Sequence, residues 1–265
     1  MTTPAVAPDV RDLAARLVEA EAKRTPIAAL TATCGPFGVG IAYEVQDAVL
    51  AARVQDGAVV TGAKLGLTSA AKQRQMHVDQ PLYGWLTDGM ALDVGQPLNC
   101  GRLIQPRCEP EIAFLMSRDL AGPQVTAAHV LAATAAVYPA IDVLDSRFAG
   151  YSFTLADVVA DNASAAGFLL GGQATEPGGV DLRLTGLVLE KNGELVGTAA
   201  GAAVLGHPAA AVAWLVRALA DRGRGLAAGQ VVLAGALTEA VPVAPGDTVV
   251  AHFDRLGTVE LACRN

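Results

Sequence analysis

Glu109 and Glu111 stand one residue apart in the run Arg107–Met116 (RCEPEIAFLM), whose tail from Ile112 to Met116 is continuously apolar. Such a run reads as a buried strand. Alternate side chains of a strand share a face, so both carboxylates point the same way at the mouth of a core strand. Carboxylates are almost never fully buried without a partner, and one hard cation neutralises two or three of them at once. A further acid, Asp142 or Asp145, follows in the apolar segment AVYPAIDVLDSR. Three convergent carboxylates in an apolar chain point to a Mg²⁺ or Mn²⁺ site built from oxygen ligands. The competing reading is a Glu-x-Glu pair on a solvated strand face. Cys108 falls on the opposite face by alternation and is read as packing.

The chain has 265 residues, enough for one large domain with a small N-terminal attachment. It is 52% hydrophobic with mean hydropathy +0.38, so a sizeable core is within reach. The net charge of −7 and pI near 5.1, with no Lys/Arg run, argue against nucleic acid or anionic membrane as the partner. No continuous apolar segment follows the N-terminus, so no export signal is expected and the protein is assigned to the cytoplasm. Ala199–Leu219 is the most membrane-like stretch, but Gly201, Gly206, His207 and Pro208 interrupt it and Ala dominates it, which favours a buried helix. Cys34, Cys100, Cys108 and Cys263 lack metal-like spacing and are expected to be reduced thiols.

Asp9 to Arg24 is predicted helical, with Asp9 as N-cap and Val10, Leu13, Ala14, Leu17 and Val18 as one apolar stripe. A Gly/Pro-rich break at Cys34–Gly38 precedes a second amphipathic helix bearing Ile41, Val45, Ala48, Val49 and Ala52 on one side. Residues 1–57 are therefore read as a helical segment packed on a β-rich domain, 58–265. Strands are expected at Ala58–Leu65, Pro110–Met116 and Pro139–Leu144, with a short helix at Ser69–Met76 and another at Thr126–Val137. Asn192-Gly193 between apolar runs predicts a type I′ hairpin. A helix opens at His207-Pro208 and stops near Gly223, His207 serving helix entry. Strands return at Val231–Leu233, Thr248–Phe253 and Val259–Ala262, with a turn at Pro245-Gly246-Asp247. The class is β-rich α+β with one main core.

The segments GAKLGLTSAAKQRQM, DQPLYGWL, CEPEIAF, PAIDVLDSR, VVADNASAAGFLLGG, GAAVLGHP and VAPGDTV occur in this order from Gly62 to Val249. Together they resemble the hydratase/decarboxylase branch of the fumarylacetoacetate hydrolase superfamily. The resemblance implies a mixed β-roll or sandwich core with an N-terminal helical cap, and a Mg²⁺ or Mn²⁺ cofactor. It maps the metal ligands onto Glu109, Glu111 and Asp142. The third position is ordinarily Glu in the family; Asp is a methylene shorter, so it reaches the metal through a water or shifts the ion. Asp145 should face elsewhere.

The same resemblance makes Lys64 the active-site lysine, a charge stabiliser or proton donor for an enolate. Without it, a lysine snorkelling from a strand end is the simpler reading. Leu67, Thr68 and Ser69 form a turn whose N–H groups could cradle a carboxylate, with an ordinary N-cap as the alternative. Thr238 matches a substrate-contacting position, and Tyr83, shared by both branches, is expected at the substrate too. ADNAS reads as a loop bordering the pocket with Ser164 as its substrate contact, hydrogen bonding within the loop being the competing use for Asp161 and Asn162. Family hydratases carry Asp directly after the Pro of the segment that here reads Val78–Gly84; Leu82 occupies that place, and an apolar residue fits a decarboxylase. Local matches at Ala71-Lys72, Tyr151-Ser152-Phe153 and GAAVLGHP agree, whereas Ala166-Gly167-Phe168 looks like some hydratases.

The implied reaction is decarboxylation of 2-oxo-3-hexenedioate to 2-hydroxypenta-2,4-dienoate in aromatic meta-cleavage catabolism. Hydration of 2-hydroxypenta-2,4-dienoate is the alternative, and a weakly catalytic subunit of a hydratase–decarboxylase complex a third. The abundance of apolar residues points to a homo-oligomer, and the resemblance implies a partner hydratase. Acylpyruvate hydrolysis lacks its early-loop His-Glu pair.

Overall fold

The computed structural model describes residues 9–69, 73–74, 78 and 80–265. Most of the helix expected at Ser69–Met76, and the residues Ala71, Lys72 and Asp79, lie outside these. Helix α1 (Val10–Lys23) starts where the Asp9 carboxylate accepts the Arg11 N–H at 2.9 Å, and ends at Arg24 in the left-handed region. Helix α2 (Leu30–Cys34) is too short to show a period in sequence. Helix α3 (Val39–Gln55) buries Val45 and Val49 as expected, with Ala42 and Gln46 beside them in place of Ile41 and Ala52. Gln46 goes in because its amide donates to two buried carbonyls, those of Tyr83 and Val159, both at 2.9 Å.

Strands β1 (Val60–Gly66), β2 (Leu82–Thr87), β3 (Ala91–Leu92), β4 (Leu98–Asn99) and β5 (Arg107–Met116) follow. Helix α4 covers only Ala127–Ala132, because β6 already begins at Thr134 and runs to Leu144. The predicted helix to Val137 fails there: Val137 belongs to the long β6 strand facing Phe114 of β5, and tertiary pairing overrides the local pattern. Helix α5 (Leu155–Ala160), β7 (Ala165–Leu170), β8 (Gly186–Lys191), β9 (Glu194–Ala200), α6 (Pro208–Ala220), β10 (Val231–Leu233), β11 (Val241–Pro242), β12 (Thr248–Phe253) and β13 (Gly257–Arg264) complete the chain. Asn192 and Gly193 both take positive φ (55° and 79°), the I′ turn the sequence announces.

Among the described residues eight strands form one sheet in the order β2-β1-β10-β5-β6-β7-β3, with β11 also on β5; the other sheet runs β4-β13-β12-β8-β9. The β1–β10, β3–β7 and β4–β13 pairs are parallel and the rest antiparallel, so the expected α+β class with mixed sheets holds. One apolar cluster joins both sheets through Ile112, Phe114, Val249 and Leu261, with Val212, Leu215 and Val216 of α6. The apolar stretch Gly201–Ala220 is long enough to cross a bilayer, but α6 within it buries Leu215 and Leu219 in this core, as expected. A second cluster ties Leu13, Leu17, Val45 and Val49 of the N-terminal helices to Phe148, Val159 and Leu82.

One irregularity makes room for chemistry. Strand β5 pairs with β10 at Ala113–Leu115 and with β11 at Arg107–Cys108. Between β10 and β11 the chain 234–240 is not strand and holds to β5 through the Ala234 and Leu237 N–H groups, and Ala236, Glu239 and Ala240 of that excursion line a cavity of about 530 Å³.

Candidate metal centre and active site

Glu109 and Glu111 project from the same face of β5, as alternation requires. Register places Asp142 of β6 directly across from Glu109. Like charges facing each other across a strand pair are destabilising on their own. Here one oxygen from each of Glu109, Glu111 and Asp142 lies within 4.8 Å of the others, and all three residues are buried. Asp145 is elsewhere: its carboxylate accepts the N–H groups of Ile104 (2.9 Å) and Gln105 (2.7 Å).

Lys64 supplies the protein's own counter-charge. It is 2% exposed, forms an ion pair with Asp142, and its Nζ donates to the Ala163 carbonyl at 3.2 Å. Burial alone would depress the ammonium; Asp142, Glu109 and Glu111 outweigh it and hold Lys64 above its ordinary value. Burial, then the charges of Asp142 and Glu109, push Glu111 well above the usual carboxylate range despite Lys64. The Gly235 N–H donates to Glu111 Oε2 at 2.6 Å, while among the described residues Glu111 Oε1 has no hydrogen-bond partner. Among the described residues, Lys64 is the lysine paired with this triad of three acids. A buried carboxylate oxygen without a partner, within a triad of hard donors, fits a divalent oxygen-seeking cation. Gly235 is required where it stands: its φ is +108°, and a Cβ there would lie 2.1 Å from Thr68 Oγ1.

The segment ADNAS positions the opposite wall. Asn162, Ala163 and Ser164 take positive φ (53°, 54°, 56°), which L-residues hold only when surrounding contacts demand it. Asn162 answers both backbone groups of Trp85: the Trp85 N–H donates to its Oδ1 at 2.7 Å and its Nδ2 donates to the Trp85 carbonyl at 2.9 Å. Asp161 is ion-paired with Arg147, both fully buried, and accepts the Ser164 hydroxyl at 3.2 Å. Burial lifts Asp161 to about 6 against the pull of Arg147. Hydrogen bonding within their loop, the competing use expected for Asp161 and Asn162, is seen only in the Ser164–Asp161 contact; the other bonds reach out of the loop to Arg147 and Trp85. Their effect is to aim the Ala163 carbonyl at Lys64 and Ser164 at the cavity.

Lys64, Leu67, Thr68, Leu82, Glu109 and Ser164 all line that cavity. Leu67 does so at φ +54°, a strained conformation for a branched residue. Three expected contacts fall elsewhere. Tyr83 follows Leu82 in β2 and so faces the other side, where its ring stacks on Tyr43 with centroids 4.6 Å apart. Thr238 is half-buried beside Gly197, off the cavity wall, and Ser69 likewise stands next to rather than on that wall.

Arg107 was not singled out by the sequence, although the alternation that pairs Glu109 with Glu111 puts it on the same face. It lines the cavity with its guanidinium 3.8 Å above the Tyr151 ring. Tyr151 and Phe153, noted only as part of the resemblance, are also on the wall, and exposed Glu239 is at its edge.

The sequence matches the model of the fumarylacetoacetate (FAA) hydrolase C-terminal family over residues 58–263. It is 45% identical over 218 residues to the 4-oxalocrotonate decarboxylase of Pseudomonas sp. (strain CF600), covering 82% of this chain and 83% of that one. It is 41% identical over 248 residues to the 2-hydroxyhexa-2,4-dienoate hydratase of Comamonas testosteroni, covering 93% and 94%. In three dimensions it is similar to the 4-oxalocrotonate decarboxylase from Pseudomonas putida G7 complexed with magnesium and adipate, with TM-score 0.93 and 40% identity over 96% of this chain and 97% of that one. Relatives of both kinds are lyases. A family match over most of the residues, on a fold shared nearly end to end, shows that this chain belongs to the fumarylacetoacetate hydrolase family.

Proposed function

We propose that the chain is a Mg²⁺- or Mn²⁺-dependent lyase that decarboxylates 4-oxalocrotonate (2-oxo-3-hexenedioate) to 2-hydroxypenta-2,4-dienoate and CO₂. The observation that carries this reading is Leu82 on the cavity wall beside a buried triad of carboxylates. Hydration needs a base near the reacting carbon, and the position where relatives with that activity place Asp is apolar here. Decarboxylation needs the departing carboxylate to meet no like charge. Leu82, Leu144, Phe153 and Val158 line the cavity, together with the cation of Arg107 and with Glu239 at its edge.

Glu109, Glu111 and Asp142 would hold the metal. When bound, it supplies Lewis-acid polarisation of the substrate's 1-carboxylate and 2-oxo oxygens. The rest is done by this chain's residues. The C5–C6 bond breaks, C6 leaves as CO₂, and its electron pair passes through the conjugated chain to the 2-oxygen. Lys64 Nζ, buried and protonated, is the group placed to stabilise that charge and to give the 2-oxygen its proton. Leu67 and Thr68 close the cavity near Lys64, and Ser164 presents a hydroxyl from the opposite wall. Apolar side chains keep water from the reacting carbons.

The reading places the enzyme in the cytoplasm, in aromatic meta-cleavage catabolism, as a homo-oligomer able to associate with a partner hydratase. Hydration of 2-hydroxypenta-2,4-dienoate remains the second reading, supported by the identity to hydratases over nearly the whole chain. A paired assay separates them. Metal-dependent CO₂ release from 2-oxo-3-hexenedioate, abolished by EDTA and without consumption of the dienoate, is expected. Consumption of the dienoate alone would make the chain a hydratase, and silence with both substrates would overturn both readings.

A further inference from the structure

Arg107 lies two residues before Glu109 on the same face of β5, so it stands about 7 Å further along the strand at the usual rise of about 3.4 Å per residue. Five bonds of extended carbon chain span about 6 Å, on the scaling that gives 3.3–3.6 Å for the three bonds of a residue. A six-carbon diacid with one end at the carboxylate triad therefore brings its other end to the level of Arg107.

The guanidinium is prepared for an anion. It stacks on Tyr151 at 3.8 Å, which fixes its plane and leaves its N–H edge for a planar carboxylate. Tyr151 is itself held, its hydroxyl donating to the Gln105 carbonyl at 3.2 Å while the neighbouring Gly150 N–H donates to Gln105 Oε1 at 3.1 Å. Among the described residues no carboxylate is ion-paired with Arg107, although Glu109 and Glu239 share its cavity. A half-buried cation on a cavity wall, packed but unmatched in charge, is a site awaiting an anionic group.

We propose that Arg107, seated on Tyr151, takes the distal carboxylate of the substrate and so determines the enzyme's selectivity for six-carbon dicarboxylic 2-oxo acids over monocarboxylic ones. The proposal rests on the reading of the cavity as a decarboxylase site and names its specificity-determining residue. A carboxylate held at Arg107 is stabilised before it leaves, so the contribution is to binding rather than to the chemical step.

The test uses the full-length Mg²⁺-loaded protein with two inhibitors of equal length, adipate and hexanoate, and KM and kcat for 2-oxo-3-hexenedioate. Arg107→Gln is expected to weaken adipate and raise KM by roughly 10- to 100-fold, the worth of a charge-assisted pair, with hexanoate and kcat within about twofold of the parent. Arg107→Lys, which keeps the charge but loses the fork, should restore part of the adipate preference, and it decides the question should Arg107→Gln fail to fold. Parallel loss of both inhibitors would put Arg107 at the metal-proximal end or in a merely structural role, and no loss of either would remove it from recognition; each overturns the proposal. A parent protein that prefers adipate through Arg107 yet releases no CO₂ would leave the subsite standing and sink the decarboxylase reading instead.

Discussion

Replacing Lys64 with Met keeps an unbranched side chain one atom shorter and removes the charge. The ammonium is the counter-ion of three buried carboxylates, paired with Asp142 and within the field of Glu109 and Glu111. Removing one partner of a buried ion pair costs about 3–5 kcal/mol, because the remaining charge stays uncompensated. For a domain of this size each kcal/mol moves the melting temperature by about 2–4 °C. Lys64→Met should therefore melt roughly 6–20 °C below the parent in EDTA. Mg²⁺ should then return more stability to the variant than to the parent, because the ion no longer competes with an ammonium for the carboxylates. At a hundredfold excess over Kd the recovery is about 2.7 kcal/mol. The effect is insensitive to pH near neutrality. The folded pKa of Lys64 is raised, so its contribution is complete below the ordinary lysine value and is lost only as pH climbs through the higher folded one. Calorimetric melts of both proteins, with EDTA and with a Mg²⁺ series, read all of this. A variant as stable as the parent in EDTA, or one that gains less from Mg²⁺, would refute the idea that Lys64 balances the triad.

Glu109→Ala should lose Mn²⁺ binding in a direct titration; binding as tight as the parent's would remove this residue from the metal centre. Leu82→Asp puts a carboxylate where the departing group must sit, so CO₂ release should fall at least about tenfold, and unchanged turnover would show that this position does not set the chemistry. Gly235→Ala brings a methyl against Thr68 and disturbs the N–H that Glu111 accepts, so Mn²⁺ affinity and melting temperature should fall together; a fall in neither would show that the backbone there has slack. Burial would raise Asp157, but hydrogen bonds from Thr31 and Thr154 at 2.7–2.9 Å hold it below the usual 3.8. Its stabilisation is therefore present above that value and lost as pH falls through the lower folded one, and Asp157→Asn should flatten the stability–pH slope in that acid window.

The carboxylate triad is legible in sequence because strand alternation is a strict rule: once RCEPEIAFLM is a strand, Glu109 and Glu111 must share a face, and Cys108 must turn into the core, where it is found. Asp142 was harder to separate from Asp145 until the strand pairing supplied register. Tyr83 was misplaced although the same alternation rule applied, because its assignment came from the resemblance and not from β2, a strand the sequence reading did not mark. Strand β7 was missed for a related reason. The polar run Asp161–Ser164 reads as a loop, and nothing local reveals that Asn162 completes the hydrogen bonding of Trp85 from the far side of the cavity. Gln46 is similar: it breaks the apolar stripe of α3 for the sake of two carbonyls remote in sequence.

Since Arg107, Glu109 and Glu111 share one strand and Asp142 faces Glu109 on the next, their separations are set by the pleat and not by side-chain freedom. A single-residue insertion within β5 would invert every residue beyond it, sending carboxylates into the apolar interior and apolar groups into the cavity. Such a change would abolish ion binding and folding in one stroke. Past Gly235, whose N–H Glu111 accepts, and Leu237, which bonds Pro110, the excursion to residue 240 has no comparable periodicity to keep. Evolution can therefore lengthen or shorten that wall to suit a different acid, while the strand beneath it stays a ruler of fixed gradation.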